Sequence, residues 1–180
     1  MAEFKKIGDF KIDVTSKKFQ EFKMYTPIKL ANTAKNHFLE GFRKGGGQTD
    51  SSIAGWKKRR YDEGPGRGIL IKSGKLRGDI KVRQVRFDRI VVGTSNLTSD
   101  YAEIHNTGGK INVTAKQKGY FMYKAKNAKS KHEKEFWQRM IGATTIEIPK
   151  REFIGASREL DAKIEKMIIF EIEKIFKVGR

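Results

Sequence analysis

Residues 69–109 read ILIKSGKLRGDIKVRQVRFDRIVVGTSNLTSDYAEIHNTGG, and this stretch sets the fold class. It opens with three apolar residues, Ile69, Leu70 and Ile71, and a Ser73-Gly74 turn. Ile80 and Val82 alternate with charged residues, as do Val85 and Phe87, before a β-branched run at Ile90, Val91 and Val92. A period of two puts one face of a strand against a core, so the spacing predicts a basic hairpin turning near Asp88-Arg89. Residues 101–105, Tyr-Ala-Glu-Ile-His, are too few for a helix stable alone and must be held by packing against the sheet. The stretch reads as a scaffold rather than an active site.

Upstream, residues 4–14 read as a first strand, and Ser16 can cap a short helix through Met24 that carries Phe19 and Phe22 inward. Thr26-Pro27 gives a restart, because proline at the first helical position lacks only an N–H that would be orphaned anyway. A second helix is expected over 27–43, with Leu30, Ala34, Phe38 and Phe42 recurring every four residues and Gly45-Gly46-Gly47 ending it. His37 lies beside that stripe and is expected at its boundary, not as a ligand.

Residues 48–68 are polar, glycine-rich and basic, with Trp56 ahead of Lys57, Lys58, Arg59 and Arg60. A tryptophan beside four cations can stack on a base while the cations hold phosphates. It can also pin a long loop onto the core, and this simpler role is the expectation. No G-x-x-x-x-G-K-[ST] pattern is present.

Downstream, 111–114 reads as a strand whose return partner is 144–148. Between them, 115–142 forms an arm with aromatics at both ends (Tyr120, Phe121, Tyr123, then Phe136 and Trp137) and a lysine-rich middle. An insertion of this length usually has a job or is disordered. Its clustered aromatics predict that it folds back on itself or onto a neighbouring subunit. The last helix, expected over 157–177, carries Leu160, Ile164, Met167, Ile168, Ile172, Ile175 and Phe176 on one wide apolar face. Ile169 and Phe170 fall outside that face, so the helix is either buried on two sides or meets another subunit.

The chain has 180 residues, which favours a single domain over 1–180 with the 115–142 arm as an excursion from it. Its 37% hydrophobic content suffices for a core. There is no cysteine, which removes disulfides, thiolate metal sites and cysteine nucleophiles together. No apolar run approaches the ~18 residues of a membrane span. The N-terminus lacks the apolar core of a signal peptide, so synthesis in a cytoplasm is the expectation.

Charge is the dominant bulk property, at +18. From Lys57 to Arg89 there are 12 Lys/Arg against 4 Asp/Glu, and from Lys116 to Arg139 there are 8 against 2. Such a surface attracts polyanions in a salt-dependent way, although solvated lysines also serve solubility alone.

Catalytic sets are missing from the pattern. The three histidines, His37, His105 and His132, stand in unrelated contexts with no G-x-S-x-G turn. No D-x-D or E-x-K cluster offers the converging carboxylates of a two-metal site. Asp100, Glu103 and His105 are the nearest approach to a polar constellation.

The order of landmarks resembles the phage virion morphogenesis family, the tail-completion or head–tail joining proteins of Mu-type and related tailed phages. The matching residues are the Trp56 loop, Ile69-Leu-x-x-Ser-Gly-x-Leu76 and Val91-Val-Gly-Thr94. They continue with Tyr101-Ala-x-Ile-His-Asn-x-Gly-Gly109 and Ile148-Pro-x-Arg-x-Phe-Ile-Gly155. The similarity runs from about residue 26 to the end. Where the family often has P-x-R-P-F, this chain has Glu152 before Phe153, and the 115–142 arm is a variable segment.

The resemblance implies a non-enzymatic component of the virion neck or upper tail, made in the bacterial host cytoplasm, with other neck and tail proteins as partners. It also implies a ring in the assembled particle. The fold expectation is α+β: a mixed, mainly antiparallel sheet (4–14, 79–87, 89–94, 111–114, 144–148) packed by helices over 27–43 and 157–177, with the arm protruding. Tyr120, Phe121, Phe136, Trp137, Ile169 and Phe170 are the expected subunit or partner contacts. Lys57, Lys58, Arg59 and Arg60 are the candidate DNA-facing patch. No catalytic residue, cofactor, metal, membrane or small-molecule substrate is expected. The rival reading is a basic protein whose primary ligand is DNA, with oligomerisation secondary.

Overall fold

The computed structural model describes residues 4–7, 10–58, 68–95 and 99–176. The architecture is α+β, built around two long helices, α1 (Lys17–Lys44) and α6 (Arg158–Phe176), lying side by side. Between them in sequence come α2 (Lys75–Asp79), α3 (Ser99–Thr107), α4 (Ala115–Lys126) and α5 (Lys131–Gly142).

α1 begins where expected, with the Ser16 hydroxyl accepting from the Phe19 N–H at 3.3 Å. It does not restart at Thr26-Pro27 but runs through as one helix of 28 residues. Proline inside a helix removes a hydrogen bond and crowds the preceding turn. Here Thr26 and Pro27 are both buried, and Phe22 in the first third packs edge-on against Phe87 at 5.9 Å. Tertiary contacts on both sides of the proline hold the helix together. Its far end follows the sequence: Leu30, Ala34, Phe38 and Phe42 are buried, and Gly45 closes the helix in a left-handed conformation.

The strands depart from the expected arrangement. Among the described residues they form three separate two-stranded antiparallel ladders, not one mixed sheet. β1 (Phe4–Ile7) pairs with β2 (Phe10–Asp13), so the expected single strand is two. β3 (Lys81–Val85) pairs with β4 (Ile90–Gly93), and their turn is closed by reciprocal bonds between Arg86 and Arg89. β5 (Gly109–Asn112) pairs with β6 (Thr145–Ile148), the partnership expected from sequence. Each ladder has strands of only four or five residues and satisfies its inner bonds locally. Helices rather than further strands cover them: α1 packs on both β3 and β4.

An irregularity between Val82 and Gln84 leaves Arg83 as the extra residue of β3. A bulge of this kind bends the strand and leaves that residue out of the ladder. Ile80 is buried and Val82 half-buried, whereas Val85 and Phe87 are exposed, so the buried face read from sequence does not reach them.

The main core gathers Phe42, Trp56, Leu70, Leu76, Ile80, Ala102 and Phe153. It continues through Val92 and Ile154 into the α1–α6 seam of Ala34, Phe38 and Leu160. A third cluster, Phe121, Ala125 and Trp137, lies within the arm.

Candidate assembly surfaces

Much of the motif chemistry meets in one knot. The Trp56 backbone N–H donates to the Gly45 carbonyl at 2.7 Å, and its indole N–H donates to the Glu152 carbonyl at 2.9 Å. A Cβ at Gly46 (φ 116°) would stand 2.7 Å from the Trp56 nitrogen, so glycine is what lets the loop lie on the end of α1. Trp56 is 6% exposed and touches Phe42 edge-on at 5.3 Å. It pins the loop, and its face is not offered to a base.

The 150–154 segment is the other half of the knot. Arg151 donates its side-chain Nε–H to the Lys57 carbonyl at 2.9 Å and its backbone N–H to the His105 carbonyl at 2.8 Å. The Asn106 amide oxygen accepts from the N–H groups of Phe153 (2.9 Å) and Ile154 (3.1 Å), and its NH₂ donates to the Ile154 carbonyl (2.8 Å). One side chain thus satisfies three backbone groups of a half-buried segment. Sequence reading gave Asn106 no role. Its position inside Ile-His-Asn-x-Gly-Gly was the available signal, but the partner lies 47 residues away. Gly108 (φ 77°) closes the join, since a Cβ there would stand 2.8 Å from the Lys150 nitrogen.

His105 sits in this knot as a neutral ring. Burial first, and the Arg151 charge second, lower its pKa from 6.5 to about 4. Tyr101 meets it edge-on at 4.4 Å. Glu103 is exposed, and of Asp100 only the backbone lies within the described residues. His37 is buried rather than at a boundary. Its Nε2 lies 2.8 Å from the Gln48 carbonyl, which requires a proton there, and 3.0 Å from Ser157 Oγ. Ser157 Oγ in turn accepts from the Leu160 N–H, so His37 fixes the cap of α6.

The arm is a helical hairpin. Thr114 and Gln117 cap α4 reciprocally, and Ser130 accepts from the Glu133 N–H at the start of α5. The lysine-rich middle therefore forms helix ends and a turn. Phe121 and Trp137 stack on each other at 5.8 Å and 25° and are buried. They hold the two helices together, so the structure removes both from the surface set expected of them. Phe136 is half-buried beside Trp137 at 5.0 Å. Tyr120, Met122 and Tyr123 are exposed. Tyr120 and Tyr123, three residues apart, share a helix face.

On α6, the inner stripe faces α1. Glu171 accepts from Lys29 of α1 at 2.8 Å and pairs with Lys174 at 3.2 Å. The hydrogen bond from Lys29 leads in holding its carboxyl below the usual range. Ile169 and Phe170 lie off this stripe and are 50% and 57% exposed. The Lys174 ammonium sits 4.2 Å from the Phe170 ring centre. Lys57 and Lys58 are exposed beside the knot, while Arg59 and Arg60 lie outside the described residues.

Residues 45–173 match the family model described as the phage virion morphogenesis family. The chain belongs to the phage virion morphogenesis family. The match spans the knot, the arm and most of α6, so family membership rests on the scaffold as well as on its motifs. It makes the chain a structural or assembly protein of a phage particle, one that meets other virion proteins. Neither the curated proteins nor the solved structures gave a match. Among the described residues, no group of three or more His, Asp or Glu side chains could hold a metal, and no helix is long and apolar enough to cross a membrane.

Proposed function

We propose that this morphogenesis protein is a non-enzymatic component of the neck or upper tail, acting in tail completion or head–tail joining, and that copies of it meet in a ring. The observation that carries the reading is the pair of unlike apolar surfaces on one chain. One is the Tyr120/Tyr123 face of the arm, with Phe136 at its border; the other is the Ile169/Phe170 face of α6. A ring needs heterologous contacts, in which one patch meets a different patch on the next copy.

Charge supports the pairing. The arm over 115–142 has 8 Lys/Arg against 2 Asp/Glu, whereas α6 has 4 against 5. Within a chain of net charge +18, α6 is an acidic exception that carries exposed apolar side chains. The positive excess of the arm opposes arm-to-arm contact, whereas the nearly balanced α6 face does not repel the arm, which favours unlike faces over two arms.

The basic balance also favours a second role, non-specific contact with DNA passing through the ring, with Lys57 and Lys58 as its described candidates. Burial of Trp56 weighs against DNA as the primary ligand, because the stacking platform of that patch is spent inside the core. The test is a phage whose copy of this chain carries Phe170→Glu. The expected result is separate full heads and tails by electron microscopy, rescued by wild-type protein. Normal infectious particles would overturn the reading.

A further inference from the structure

We propose that the groove between α1 and the α2–β3 segment is a partner site for an acidic, partly apolar peptide. It is separate from the arm and α6 faces and does not depend on the ring. The groove is an open depression of about 600 Å³. Lys35 lines it from α1, Arg77 from α2 and Lys81 from β3. No hydrogen bond or ion pair to a described residue holds the side chain of any of the three.

Other cations of this surface are neutralised by carboxylates of the chain itself. Glu40 takes Arg43 and Lys44, Glu171 takes Lys29 and Lys174, and Glu159 takes Lys163. Asp79, the acidic residue within the segment, is turned elsewhere. Its carboxylate pairs with Arg83 at 3.2 Å and accepts from the N–H and hydroxyl of Ser95 at 2.6 and 2.9 Å. Three uncompensated cations around a concave wall concentrate positive potential there and favour an anion.

The lining chooses among anions. Leu39 and Val82 are half-buried apolar contacts, and the lining holds no aromatic ring on which a single-stranded base could stack. A peptide can place carboxylates on Lys35, Arg77 and Lys81 and an aliphatic side chain on Leu39 and Val82. Gly78 stands on the lining with open space where a Cβ would be, so a larger side chain can be placed there.

The test is fluorescence anisotropy of the full chain with a labelled peptide of Asp-Leu-Glu repeats, at physiological salt, with short duplex DNA as competitor. Saturable binding is expected. Gly78→Phe fills the groove without changing charge and should weaken binding by about tenfold; Arg77→Gln with Lys81→Gln should do the same. Lys126→Gln with Lys131→Gln removes equal charge from the arm and should change affinity by less than about twofold. Both cations exchanged in the groove are exposed, so that pair carries the test if Gly78→Phe fails to fold. Absence of saturable binding, equal loss from the arm variant, or displacement by DNA at lower concentration than by unlabelled peptide would overturn the proposal.

Discussion

The indole N–H of Trp56 donates to the carbonyl of Glu152 over 2.9 Å, joining a loop to a segment 96 residues away. Trp56→Phe should cost about 1 kcal/mol by removing that bond, and Trp56→Ala about 3–5 kcal/mol by leaving a cavity beside Phe42 as well. Urea unfolding measures both. Single-stranded DNA affinity at moderate salt should be unchanged in Trp56→Leu, which has no ring to stack; a large fall there would restore the stacking role.

Asn106→Ala should be about as costly as a core truncation, at about 2–3 kcal/mol, because it strands the N–H groups of Phe153 and Ile154 in a half-buried place. Asn106→Asp keeps the acceptor for both N–H groups but sets its second carboxylate oxygen against the Ile154 carbonyl, so it should be milder at low pH, where the carboxyl is protonated, than at neutral pH. Thermal melts of the two variants rank them.

His105 gives a pH dependence with a definite sign. Its folded pKa lies near 4 and its unfolded value near 6.5, so between these the unfolded chain binds a proton the native chain refuses. Stability is therefore full above pH 6.5 and falls as pH drops toward 4, by at most about 3 kcal/mol. His105→Gln should flatten that part of the melting-temperature profile. A profile identical to wild type would show that His105 is not the titrating group.

Much of this was legible in the chain because it is local. The Ser16 cap, the Gly45 stop, the Leu30–Phe42 stripe and the Asp88-Arg89 turn all depend on near neighbours, and the β5–β6 pairing showed as two β-branched runs flanking the arm. What escaped depends on contacts distant in sequence: the passage of α1 through Pro27 and the role of Asn106. The single sheet was over-read from strands too short to need further partners. The arm helices did carry a signal, since Thr114 with Gln117 and Ser130 with Glu133 are cap pairs. Phe121 and Ala125, four apart, marked its inner stripe. Without that periodicity the buried Phe121 and Trp137 could not be told from the exposed Tyr120 and Tyr123. Ile169 and Phe170 were readable because the opposite stripe of α6 is so regular.

The arm separates stability from assembly. Trp137→Ala should unfold the α4–α5 hairpin, with loss of helical circular dichroism and about 3–5 kcal/mol of local stability. Tyr123→Ser, on the exposed face, should leave the melting temperature nearly unchanged, since surface exchanges stay within about 0.5 kcal/mol. It should nonetheless lower particle yield in phage carrying it.

Self-association should follow the α6 outer face. Light scattering of concentrated protein should give a mass above the 20.6 kDa of one chain, falling toward it in Phe170→Glu, and also in the wild type as salt is lowered, because copies of net charge +18 then repel more strongly. Lys57→Glu with Lys58→Glu should leave that mass unchanged.

The most direct measurement asks which patch meets which. The chain has no cysteine, so single cysteines report cleanly. Lys116→Cys and Lys166→Cys chains, with the new thiols beside Tyr120 and Phe170, are differently tagged, mixed and treated with a short bismaleimide. Heterologous packing predicts that the mixed cross-linked pair dominates over both like pairs. Cross-links only between like chains, or none at any concentration, would contradict the arm-to-α6 contact.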